Sequence, residues 1–253
     1  MASALACAGP RFVLPTGAGA PAPAAPAAWA DATARCRGAQ TFSSELRISG
    51  RAGTRSLRRA TVFAGLTSTG QIRLEAPAPF GRAAFILTAS GGDATLVTRD
   101  NQVLTAPPEQ IVEALIGVAL GPKSLLTILS GCGLSDGPIE DAVMYPSLLA
   151  VRTAEGRAFL QSLADHWRIV AVEREGLVIE YQHDASRSEV WPRELRLRSE
   201  AGRTPPVTLS IAQSQIEVNV ALAASAFTAN VPANATRLTI DDLRSAGPLG
   251  SAR

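Results

Sequence analysis

The chain has 253 residues, 46% of them hydrophobic, which is enough for one large domain with a sizeable core or for two small ones. Its net charge is +2, and no Lys/Arg run with interleaved aromatics occurs, which argues against a nucleic-acid-binding surface. No run of about 18 apolar residues is present, so nothing in the sequence reads as a membrane-spanning helix. Arginine outnumbers lysine so heavily that Lys123 is the only lysine.

At the start, Ser3-Ala4-Leu5-Ala6-Cys7 places small residues before a cysteine. This resembles the lipobox of bacterial lipoproteins, where the cysteine takes a diacylglycerol and becomes the mature N-terminus. Residues 1–7 are too short to hold a basic n-region and an apolar h-region. One reading is therefore that they are the remnant of a signal that begins upstream. The other is that Cys7 is an ordinary cysteine in a tail. Residues 8–28 follow as a Pro/Ala/Gly-rich tether, with Pro10, Pro15, Pro21, Pro23 and Pro26. Two further cysteines, Cys36 and Cys132, remain if Cys7 is lipidated, and they form a candidate disulfide in an oxidising compartment. The alternative is that both are small buried apolar residues.

Trp29 to Gly38 reads as a short helix with Gly38 as its C-cap. From residue 41 the hydrophobic period changes to two. Phe42, Ser44, Leu46 and Ile48 alternate with polar neighbours, and Gly50 to Arg55 reads as a turn. Ala60, Val62, Ala64 and Leu66 form the next run, followed by Ile72 and Leu74. Strands are expected near 82–89, 93–98 and 102–105, with Gly91-Gly92-Asp93 and Asp100-Asn101 as hairpin turns.

The pattern then breaks. Pro107-Pro108-Glu109 opens a helix over about 108–117, with Ile111, Val112, Leu115 and Ile116 on its apolar side. Pro122 starts a second helix over about 122–131, carrying Leu125, Leu126, Ile128 and Leu129. Strands resume near 147–152, 157–162, 167–174, 176–183, 193–199, 206–212 and 215–220. Ala226 to Pro232 looks extended, Thr239 caps a last helical turn, and 246–253 reads as a tail. No linker interrupts residues 29–245, so these form one mainly β domain with a helical insertion. Roughly eleven antiparallel strands must curl toward a barrel, and the two apolar helices must cover the concave face.

Three short stretches resemble the LolA/LolB type of lipoprotein-localisation proteins. They are Ile72-Arg73-Leu74-Glu75 leading to Pro79-Phe80-Gly81, Leu125-Leu126 leading to Leu129-Ser130-Gly131, and Phe227 leading to Val231-Pro232. The resemblance implies an unclosed β-barrel with a short helical lid that holds acyl chains of lipoproteins or lipids, without a cofactor, a metal or catalytic residues. On this sequence the implied cavity and lid fall on Leu46, Ile48, Val62, Leu74, Ile111, Leu115, Leu125 and Leu129. The membrane-insertion loop of the LolB branch falls on Pro79, Phe80 and Gly81. The same resemblance implies a monomer, lipid-anchored in the bacterial envelope at the periplasmic face of the outer membrane, with acylated lipoproteins or lipids as partners. A chain of this fold whose barrel is packed solid would instead be a structural, protein-binding envelope lipoprotein.

Other chemistry is weaker. Gly133-Leu134-Ser135-Asp136-Gly137 matches G-x-S-x-G, but it follows a helix, whereas a nucleophile elbow links a strand to a helix. Only His166 and His183 could serve Ser135 as a base. These two separated histidines do not give metal-ligand spacing.

Overall fold

The computed structural model describes residues 13–78, 83–135, 137–163, 165–183, 191–200, 202 and 205–246. Cys7, the Pro79-Phe80-Gly81 loop, Asp136 and the tail from 247 onward lie outside the described residues.

The first meander begins after helix α1 (Ala25–Arg37) and comprises β2 (Thr41–Ala52), β3 (Arg55–Thr67), β4 (Ile72–Ala76), β5 (Phe85–Ala89), β6 (Ala94–Thr98) and β7 (Gln102–Ala106). Two helices, α2 (Pro108–Ile116) and α3 (Pro122–Leu129), interrupt it. The second meander is β8 (Asp141–Met144), β9 (Leu149–Thr153), β10 (Gly156–Leu163), β11 (His166–Arg174), β12 (Leu177–Gln182), β13 (Glu194–Ser199) and β14 (Val207–Val218). A 3-10 turn (Ala224–Phe227), β15 (Thr236–Arg237) and α4 (Ile240–Ala246) end the chain, and β1 (Ala20–Pro21) precedes α1.

All the strands among the described residues belong to one sheet. Its two meanders are joined where β14 pairs with β2, from Val207 opposite Ala52 to Val218 opposite Phe42. The sheet curls but does not close, with β1 and β15 at its two edges. Burial follows the pleat: Phe42, Ser44, Leu46 and Ile48 of β2 point inward, as do Val207, Leu209, Ile211 and Gln213 of β14. These inward residues and the apolar faces of α2 and α3 form one continuous core. A smaller cluster of Leu148, Ala150, Phe159, Val170 and Ala171 lies apart from it, and Leu14 and Tyr145 pack against it.

The mainly β curled sheet with a two-helix insertion is the architecture read from the sequence, with several local differences. Among the described residues the sheet has fifteen strands, because β1, β8 and β15 are two to four residues long and too short to show a period. The structure shortens the expected tether. Pro21 pairs with Val143 of β8, the Tyr145 hydroxyl donates to the Gly17 carbonyl, and α1 starts at Ala25 with a proline in its first turn. A first-turn proline forfeits only an N–H that has no partner within the helix, so Pro26 does not delay the helix to Trp29. The turn after β2 narrows to Gly53 and Thr54, since Gly50 continues the ladder opposite both Leu57 and Leu209. The two strands expected over 206–220 are one strand with a bulge between Ser214 and Glu217. Ala224–Phe227 is a 3-10 turn rather than extended chain, and it buries Phe227. Thr239 caps α4 as read: its hydroxyl accepts the Asp242 N–H while the Asp242 carboxylate accepts from Thr239.

Candidate functional site

The sequence between β7 and β8 makes a helical hairpin because both helices begin with a proline and end near a glycine. Its faces are strongly apolar. Ile111, Val112, Ala114, Leu115 and Ile116 of α2 are buried, and so are Leu125, Leu126, Ile128 and Leu129 of α3. At the hairpin apex Gly117 adopts φ +81°, and a Cβ there would meet Ala52 Cβ at 2.7 Å. Only glycine allows that left-handed turn to sit so close to the end of β2. Val118 and Leu120 on either side of the exposed Ala119 are buried as well.

All eight residues expected to line an acyl cavity are brought together in this core. Leu46, Ile48, Val62 and Leu74 come from the sheet, and Ile111, Leu115, Leu125 and Leu129 from the lid; none is more than 9% exposed. The lid therefore fills the concave side with its own side chains. Burying each leucine-sized side chain contributes about 1.5–3 kcal/mol, so the closed lid is held mainly by apolar contact.

Polar groups pin both arms of the lid. On α2, Arg55 Nη1 donates to the Ala114 carbonyl at 2.8 Å, Arg244 lies 3.7 Å from Glu113, and α4 packs alongside. At the exit from α3, Gln213 Nε2 donates to the Leu129 carbonyl at 3.0 Å and to the Pro192 carbonyl at 2.9 Å. Arg174 Nη1 donates to the Gly133 carbonyl at 2.8 Å, and Nη2 lies 3.4 Å from Ser124 Oγ. Gly133 has φ +70°, and a Cβ on it would meet Val172 Cγ2 at 2.6 Å and the Tyr181 hydroxyl at 2.8 Å. Burial pushes Tyr181 up, so that phenol stays neutral. Cys36 of α1 and Cys132 form a disulfide with a Cα separation of 5.9 Å, which fastens the lid exit to α1. α1 is in turn tied to β11 through Asp31, which accepts the Trp167 N–H at 2.6 Å. That hydrogen bond, with help from His166, holds the Asp31 carboxyl below its ordinary value.

Arg174, Gln213 and Arg55 were not singled out in the sequence. Two of them carried a signal: Gln213 is the fourth inward position after Val207, Leu209 and Ile211, and Arg174 follows the inward Val172 by two. A polar residue in the inward phase of a strand must find a buried partner, and here the partners are lid carbonyls.

A cavity of about 240 Å³ lies between α1 and α3. Its wall includes the disulfide, Ala39, Leu126 and Leu134, and its rim carries Arg37 and Lys123. Ser135 also borders it, and its backbone N–H donates to Glu155 Oε2 at 2.8 Å. Neither histidine is hydrogen-bonded to Ser135 among the described residues: His166 faces Asp31 at 3.3 Å and His183 Nε2 faces the Ile169 carbonyl at 2.9 Å. Burial is the main reason that the His183 imidazole is held below its ordinary pKa.

No protein-family model matches the chain, and no curated protein matches it. Solved structures do. A LolA superfamily protein from Nitrosomonas europaea superposes with a TM-score of 0.53 at 10% identity, over 79% of this chain and 98% of that one. A DUF1329 family protein from Desulfovibrio piger superposes with a TM-score of 0.52 at 12% identity, over 80% of this chain and 96% of that one. The unclosed curled sheet with its helical lid is thus a fold that the chain shares with that LolA superfamily protein.

Proposed function

We propose that the chain binds acyl chains of lipids or acylated proteins in the concave side of its half-barrel, and that α2 and α3 occupy that space until cargo displaces them. The observation that carries this is the lid itself, two short helices with an apolar face fully inserted into an open sheet. A lid held chiefly by apolar contacts can exchange those contacts for a methylene chain of like chemistry. Each buried CH₂ contributes about 0.8 kcal/mol, so one long chain gains on the order of 10 kcal/mol gross, which offsets part of the lost lid contacts. The likeness in fold to a LolA superfamily protein supports the same reading. We further propose that the protein works without catalysis, held in the bacterial envelope by a lipid on Cys7. The packing of all eight interior side chains favours a second reading, a structural envelope protein with a solid core.

Titration with a fluorescent fatty acid or a diacylated lipopeptide separates the two. Saturable, one-to-one binding with faster hydrogen exchange in 108–129 is expected of a displaced lid. A protein that binds neither probe is a solid scaffold.

Delivery to a membrane is a separate step, assigned here to Phe80. Phe80→Glu is expected to leave folding and acyl binding intact and to abolish transfer of cargo to acceptor vesicles, because a carboxylate is costly to desolvate in the lipid interface. Phe80→Leu keeps an apolar tip and should transfer normally. Equal transfer by wild type and Phe80→Glu rejects the role.

A further inference from the structure

The cavity between α1 and α3 has a chemical character that acyl binding alone does not require. We propose that it receives the phosphate headgroup of an anionic membrane lipid, whose chains continue under α3 into the half-barrel; this rests on the acyl-binding reading above and specifies its ligand. Two cations, Arg37 and Lys123, stand at the rim, and no carboxylate is among the described residues that line the cavity. The nearby acid, Glu155, accepts the Ser135 N–H and borders a different groove together with Glu140 and Arg152.

Lys123 is the decisive residue. It is the only lysine in the sequence, it is exposed, and its ammonium has no hydrogen bond or ion pair among the described residues. By contrast, three of the hydroxyls around it are committed: Thr33 donates to the Trp29 carbonyl, Thr127 to the Lys123 carbonyl and Ser130 to the Thr127 carbonyl. Three N–H donors without a partner among the described residues are thus presented at the mouth of a pocket whose deeper wall is apolar, formed by Ala39, Leu126, Leu134 and the Cys36–Cys132 disulfide. A free inorganic anion would have no use for that wall, whereas a lipid phosphate with its first methylenes matches both parts. Size agrees. At about 240 Å³ the cavity falls below the roughly 300–1,000 Å³ of sites that enclose a whole ligand, so it suits a headgroup and not a complete lipid. Its position agrees too, because Leu126 is shared between this cavity and the core that the lid fills.

The test uses the full chain and two short-chain, monomeric lipids with identical acyl groups, phosphatidylglycerol and phosphatidylcholine. Wild type is expected to bind phosphatidylglycerol more tightly. Lys123→Ala should weaken phosphatidylglycerol about fivefold and leave phosphatidylcholine unchanged, and Lys123→Glu should weaken it further. Arg58→Glu changes the net charge by the same amount at an exposed position of β3 and should have no effect. Equal affinity of the wild type for both lipids overturns the headgroup assignment and leaves acyl binding standing. Equal losses in Arg58→Glu and Lys123→Glu overturn it as well, as does competition by inorganic phosphate at the concentration where the lipid itself binds. Absence of binding to either lipid removes the acyl reading and this one together.

Discussion

Cys36→Ser/Cys132→Ser is expected to lose about 4–5 kcal/mol of stability, the largest effect of any change considered for this chain. The two cysteines are 96 residues apart, and cross-linking a loop of that length removes about that much chain-entropy stabilisation from the unfolded state. The closed loop holds β2 through β7 and both lid helices, so the bond constrains the whole first meander at once. The midpoint of urea unfolding, compared between oxidised wild type and the double variant, measures the loss. A structural consequence accompanies it. With Cys132 released, the exit of α3 is held to the rest of the protein by Arg174 and Gln213, and hydrogen exchange in α3 should accelerate more than in β2. A midpoint that does not move would mean that the bond is strained or that the unfolded chain is already compact.

Leu129→Ala should both destabilise the protein and improve acyl binding. Leu129 is 1% exposed and sits between the lid and the sheet, so truncating it is expected to cost about 2–5 kcal/mol through lost burial and an unfilled hole. If the concave side is the acyl site, that hole is apolar space that a ligand can enter without displacing as much of the lid. Affinity for a fluorescent fatty acid should then rise, and ligand should restore more thermal stability to the variant than to wild type. Leu148→Ala is the matched control. Leu148 belongs to the separate outer cluster, so its truncation should destabilise the protein and leave acyl affinity unchanged. Lower affinity in Leu129→Ala would favour the solid-core reading.

The architecture was legible because long amphipathic strands write a period of two into the chain. Phe42 to Ile48 and Val207 to Ile211 declare which face is inward, and the prolines at 108 and 122 place the two lid helices to within two residues of their observed ends. What was hidden depends on contacts between residues far apart in sequence. Pro21 opposite Val143 and Thr236 opposite Gln102 are two-residue pairings, which exist only because the rest of the sheet brings a partner alongside. The eight candidate interior residues could be chosen from phase alone, but whether they enclose a cavity or fill it depends on how deeply α2 and α3 insert, and no local pattern records that depth. The polar fastenings of the lid lie between these cases. Gln213 and Arg174 occupy inward phases, which marks them as partnered, while the carbonyls that satisfy them are visible only in three dimensions.

The pairing of β14 with β2 has a consequence for how the protein assembles. Each meander consists of neighbours in sequence, and such hairpins close quickly. The contact between the meanders joins Phe42 to Val218 and Ala52 to Val207, at separations that make loop closure slow. Until it forms, β2 and β14 are two twelve-residue strands with free edges, the longest that the folding chain exposes. Free edges of that length invite pairing with a second copy. The slow step of folding and the main opportunity for misassembly therefore coincide at this one seam, far from the edges that the finished sheet leaves open.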